Sequence, residues 1–85
     1  MRALFVGGTV DNSELDLDAA ETPTHYPDHT GTNVPRYRLY EIGRCAGDPV
    51  YAVYAAPGLP PQEIERVIAE RDYPRRFGAD QRVGC

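Results

Sequence analysis

The sequence predicts an α+β domain: a small antiparallel sheet of about four strands, built as two hairpins, packed against one C-terminal helix in the order ββ-loop-ββ-α. Three observations predict it. Two pairs of apolar, strand-forming segments are each joined by turn residues. A segment opened by Pro60 and Pro61 repeats its apolar residues at helical spacing. The chain has 85 residues, which gives one core and no room for a second domain.

The first hairpin begins with the apolar run 2–6. Gly7-Gly8 and Asp11-Asn12 supply the turn residues that reverse it. Its return arm, Glu14-Leu15-Asp16-Leu17-Asp18, alternates acid and leucine, the period of a strand with one wet and one buried face, so Leu15 and Leu17 are expected to point inward. Residues 22–36 carry three prolines and no apolar period and read as a long loop. Residues 37–42 and 50–56 are again strand-like, joined by turn chemistry over 43–49. The second of these arms is apolar on both faces and is placed centrally, with a helix on one side and a partner or an aromatic cover on the other.

Proline is tolerated in the first turn of a helix, where its missing N–H costs nothing, so Pro60-Pro61 opens one. Ile64, Val67 and Ile68 make a narrow apolar stripe, and Glu63, Arg66 and Glu70 form ion pairs along the wet face. Pro74 is expected to end this helix, because the residue before a proline avoids the helical region. Residues 75–85 read as a weakly structured tail from which Phe77 or Val83 tucks back.

Leu, Ile, Val and Phe make up 17 of the 85 residues, at the border of foldable composition, so the core must be thin. No run approaches the roughly 18 apolar residues that span a bilayer. Gly7-Gly8 arrives too early for a signal-peptide core, and a cytoplasmic protein is expected. Two cysteines fall short of a disulfide scaffold, which predicts free thiols; the alternative is a bridge from Cys45 to Cys85 tying the tail to a hairpin loop. All nine basic residues are Arg, against 13 acids, and the net charge is −4. The excess acid lies in the first third, a distribution that favours a basic partner surface.

The opening Met1-Arg2-Ala3-Leu4-Phe5-Val6-Gly7-Gly8-Thr9-Val10-Asp11-Asn12 resembles a group of small phage and prophage accessory proteins. These open with a basic residue, an apolar strand, Gly-Gly and an Asp-containing turn. Thr9 and Asn12 stand where that group often has Pro and Gly. The resemblance implies a viral or mobile-element gene product that binds and blocks a host protein, host-defence complexes such as CRISPR effectors among them. No catalytic activity comes with it.

Several residue groups carry candidate chemistry. Glu14, Asp16 and Asp18 lie on one strand face about 6.5 Å apart. They form either a ladder that grips Arg and Lys of a host protein or an ordinary solvated face. Calcium needs a compact loop of oxygens and does not suit a strand. His25 and His29, with Asp28, lack the helical frame and the second ligand pair of a zinc site. Cys45 beside Arg44 has no oriented base for nucleophilic catalysis. Arg36, Tyr37, Arg38 and Tyr40, with Arg44 on the following turn, interleave cation and aromatic groups as single-strand nucleic-acid binders do, although the acidic net charge opposes it. Six tyrosines, against two Phe and no Trp, suggest either an interface or a tyrosine-supplemented core. The sequence therefore points to a non-enzymatic protein with no cofactor and no metal. Its expected partner-binding residues are Glu14, Asp16, Asp18, Tyr37, Tyr40, Tyr51 and Tyr54. A self-associating homodimer is the alternative, and a single-stranded nucleic-acid binder a further one.

Overall fold

A computed structural model describes residues 1–17, 23–26 and 36–78. The fold is α+β. Five strands, β1 (Arg2–Val6), β2 (Glu14–Asp16), β3 (His25–Tyr26), β4 (Tyr37–Cys45) and β5 (Asp48–Ala55), form one sheet in the order β2-β1-β5-β4-β3. Two helices follow, α1 (Pro61–Arg71) and the short α2 (Tyr73–Arg76).

Both expected hairpins form. β1 pairs antiparallel with β2 and β4 antiparallel with β5. The sheet is nevertheless mixed, because β1 and β5 run parallel, with Arg2 opposite Tyr51 and Val6 opposite Ala55. The physical reason is burial. Ala3 to Val6 and Tyr51 to Ala55 are buried residue after residue, and such two-sided apolar strands belong side by side at the centre of a sheet. The fifth strand is also a correction. His25 and Tyr26, within the stretch read as a structureless loop, pair with Arg38 and Tyr37 of β4. The rest of that stretch lies outside the described residues, as do Asp18 and Val83.

The turn after β1 is set by glycine. Gly7 and Gly8 both have positive φ, and a Cβ on Gly8 would strike the Tyr37 hydroxyl. Asp11 closes the same turn by accepting the Gly7 N–H at 2.7 Å. At the other end of the molecule, α1 stops earlier than expected. Asp72 takes the left-handed conformation (φ 57°, ψ 41°) and its N–H returns to the carbonyls of Ala69 and Ile68. Pro74 sits in the first turn of α2 rather than ending α1, which is where proline is tolerated. The turn is worth making because it carries Tyr73 into the core, 1% exposed. Phe77 packs there as well.

The sheet is buried on both faces. On one, Leu4, Val6, Tyr51, Val53 and Ala55 meet Ile64, Val67 and Ile68 of α1 together with Tyr73. Gly43 opposes Tyr51 across the β4–β5 ladder, and a Cβ at Gly43 would fall inside the Tyr51 ring. On the other face there is no helix among the described residues. Ala3, Phe5, Tyr37, Ala52 and Tyr54 pack there, with the Phe5 ring 5.3 Å from Tyr26, 5.3 Å from Tyr37 and 5.7 Å from Tyr54. An aromatic layer thus supplies the cover that a second helix would give. Among the described residues, no helix is long and apolar enough to cross a membrane.

Candidate functional site

The residues expected to bind a partner are placed in three ways. The acids of β2 face the helix side of the sheet, because Glu14 opposes Leu4 and Asp16 opposes Arg2. There they are already engaged: Asp16 lies 3.4 Å and Glu14 3.8 Å from Arg2, and Glu14 is also 3.3 Å from Arg76 of α2. Leu15 consequently points to the opposite face, where it is 38% exposed, which corrects the expectation that it turns inward. Strand β2 lies at the end of the sheet and, among the described residues, has no outer neighbour to bury it. Leu17 does pack inward against the aromatic face.

Three of the four tyrosines are core residues. Tyr37, Tyr51 and Tyr54 are at most 5% exposed. The hydroxyls of Tyr37 and Tyr54 find backbone partners. Tyr37 donates to the Gly7 carbonyl at 2.6 Å and accepts the Val10 N–H at 3.1 Å, and Tyr54 donates to the Pro23 carbonyl at 2.7 Å. Tyr51 lies between Tyr73 and Phe77, and burial, with Glu41 and Glu65 nearby, pushes its hydroxyl up to about 12. Tyr40 is the half-exposed one and donates to Glu65 of α1 at 2.7 Å.

Cys45 is disulfide-bonded, contrary to the free thiol expected, so it offers neither a nucleophile nor a thiolate ligand. Cys85, His29 and Asp28 lie outside the described residues. Among the described residues, no three His, Cys, Asp or Glu side chains gather where they could hold a metal ion.

One arrangement was only half visible in the sequence. An α-helix is about 10 Å wide and strands lie about 4.8 Å apart, so one helix covers about two strands. Helix α1 packs over β1 and β5, and β4 and β3 extend beyond it as a ledge. The register places Val6, Ala55, Arg38 and His25 side by side in one row across β1, β5, β4 and β3, on the helix face. The first two are buried under the helix side and the last two stand on the ledge. Arg36, two residues before Arg38, shares its face.

A cavity of about 270 Å³ opens there. Its polar wall is His25, Arg36, Arg38 and Tyr40, and its floor is Ala55, Leu59 and Ile64 with the chain turning from β5 into α1. Among its described lining residues there is no carboxylate. Arg38 has no ion-pair or hydrogen-bond partner among the described residues, and His25 uses Nδ1 towards the Thr24 hydroxyl at 3.3 Å, which leaves its other ring nitrogen.

The sequence-level grouping of Arg36, Tyr37, Arg38 and Tyr40 is therefore split by the strand period. Tyr37 goes through to the aromatic face while Tyr40, two residues after Arg38, stays on the side of Arg38, and a bulge between Leu39 and Glu41 brings Glu41 to that side as well. Arg44 lies near the far end of β4, beside the turn to β5, and reaches the Gly47 carbonyl at 3.5 Å. The signal for the ledge was the i, i+2 spacing of Arg36 and Arg38; nothing in the sequence joined His25 to them.

Along the ledge past Tyr40, Glu41 follows on β4 and Glu65 of α1 accepts the Tyr40 hydroxyl. Burial, and then the charge of Glu65, raises the Glu41 carboxyl above its ordinary range. A second cavity, of about 260 Å³, lies between the Gly7 turn and α1. Its charges satisfy one another: Asp11 takes Arg71 at 2.8 and 2.9 Å, and Arg66 is shared between Glu63 and Glu70. No family model, curated protein or solved structure matches the chain.

Proposed function

We propose that this protein is a non-enzymatic binding module that holds an anionic group of its ligand on the ledge formed by Arg38, His25 and Arg36. The observation that carries this reading is the cavity itself: its polar wall is cationic, and its described lining contains no carboxylate. Guanidinium groups recognise phosphate and carboxylate through charge-assisted hydrogen bonds, and a concave site with an apolar floor and few polar groups is the usual form of a ligand pocket. The alternative route to a partner, through the acids of β2, draws little support from the geometry. Glu14 and Asp16 already have arginine partners within the molecule, and Tyr37, Tyr51 and Tyr54 are committed to its core.

Retention on phosphocellulose at low salt tests the reading. The protein is expected to be retained despite its net charge of −4 and to elute as salt screens the contact. Arg38→Ala removes a charged hydrogen bond worth about 1.5–3 kcal/mol and should abolish retention, while Glu14→Gln and Asp16→Asn leave it unchanged or stronger. Equal flow-through of the parent protein and Arg38→Ala would sink the proposal.

A further inference from the structure

We infer that the ligand of this ledge is a compact molecule that joins one planar base to one phosphate through a sugar, the class of a nucleoside monophosphate, rather than a polynucleotide. The inference rests on the anion-binding reading above and narrows it. Size is the first argument. Ligand pockets for drug-sized molecules run from about 300 Å³ upward, and a cavity of about 270 Å³ admits one ring system with its substituent.

The second argument is the division of the lining. Arg38 and His25 are direct cross-strand neighbours on one face, so their side chains start about 5 Å apart and converge on a single anionic group. Away from these two and Arg36 the lining side chains are mostly apolar: Ala55, Leu59 and Ile64 form the floor and the Tyr40 ring a side. Such a surface accepts a flat ring and leaves a bare inorganic phosphate without use for most of its area.

The third argument is what flanks the pocket. Beyond Tyr40 come Glu41, the next residue of β4 on the helix face, and Glu65, which accepts the Tyr40 hydroxyl at 2.7 Å. A chain of phosphates leaving the pocket along the ledge in that direction would run against two carboxylates. Proteins that track single strands do the opposite and line the whole groove with cations. A ligand with one phosphate meets only the cations and stops before the acids.

Isothermal titration at low salt with four probes tests this: AMP, adenosine, inorganic phosphate, and a dodecamer of deoxyadenosine with a 5′-hydroxyl end. AMP is expected to bind about tenfold or more tightly than adenosine or phosphate alone, and Arg38→Ala and His25→Gln each to weaken AMP by about tenfold. Arg38 is exposed and His25 half-buried, and an unchanged amide NMR spectrum away from the ledge verifies the folding of both variants. AMP should shift the amides of Arg38 and of the chain between Ala55 and Leu59. Tighter binding of the dodecamer than of AMP, or inorganic phosphate equal to AMP, overturns the inference and leaves the anionic ledge standing. AMP failing to bind a protein that phosphocellulose retains through Arg38 overturns the inference alone; failure of both overturns the inference and the reading beneath it.

Discussion

Tyr37 shows how much one side chain does in a domain with few aliphatics. Its ring packs edge-on to Phe5, and its hydroxyl bridges the Gly7 carbonyl and the Val10 N–H, thirty and twenty-seven residues away in sequence. It therefore fixes the Gly7 turn from the far side of the sheet. Tyr37→Phe keeps the ring and strands both backbone groups, so it should cost about 1–3 kcal/mol in urea unfolding. A loss near zero would mean that water replaces the hydroxyl without penalty. The same residue explains why the tyrosine count could be noticed in the sequence and yet not assigned. Tyrosine is amphipathic, equally suited to an interface or to a core with a polar exit. What decides between them is a backbone carbonyl such as Gly7 or Pro23, brought close only by the fold.

Among the elements, the hairpins and α1 were legible because their signals are local: turn residues between apolar arms, and apolar residues three and four apart. The parallel pairing of β1 with β5 was not, since two hairpins read separately carry no information about which arms meet. Strand β3 is two residues long, below any periodicity, and exists through its pairing with Tyr37 and Arg38. The contact that ties elements together was equally silent. Asp11 of the first turn takes Arg71 from the last turn of α1 through both carboxylate oxygens, while Arg71 also donates to the Phe5 carbonyl at 3.3 Å and to the Tyr73 hydroxyl at 3.0 Å. The Gly7 N–H and then Arg71 hold the Asp11 carboxyl below its ordinary value of 3.8. A depressed carboxyl stabilises the fold above its unfolded value and loses that contribution as pH falls through the folded one. Asp11→Asn should accordingly lower the thermal midpoint at neutral pH, with the deficit closing as the pH is taken below about 3.8. Coincident melting curves for the two proteins across that range would show the clip to be worth nothing.

For the whole molecule, the ledge is a consequence of proportion: one helix over a five-stranded sheet leaves β4 and β3 past its edge. That proportion also explains Glu41. It opposes Val53 on the helix face but lies toward the margin of α1, half-buried and near Glu65 and the hydroxyls of Tyr40 and Tyr51. No cation is among the causes acting on it; burial and Glu65 both raise its carboxyl. A raised carboxyl means that the folded state binds its proton more tightly than the unfolded chain does. Stability from this group is then fully present below the unfolded value of 4.5 and is lost as pH rises through the folded one. Glu41→Gln should therefore raise the urea midpoint at pH 7, with the gain shrinking towards zero as the pH is lowered to 4.5. A variant less stable than the parent at pH 7 would assign Glu41 a hydrogen-bonded, stabilising role instead. The same substitution removes one of the two charges that close the ledge to a phosphate chain. Affinity for the dodecamer should rise in Glu41→Gln while that for AMP changes less, so one residue reports both what the thin core costs the sheet and what the ledge keeps out.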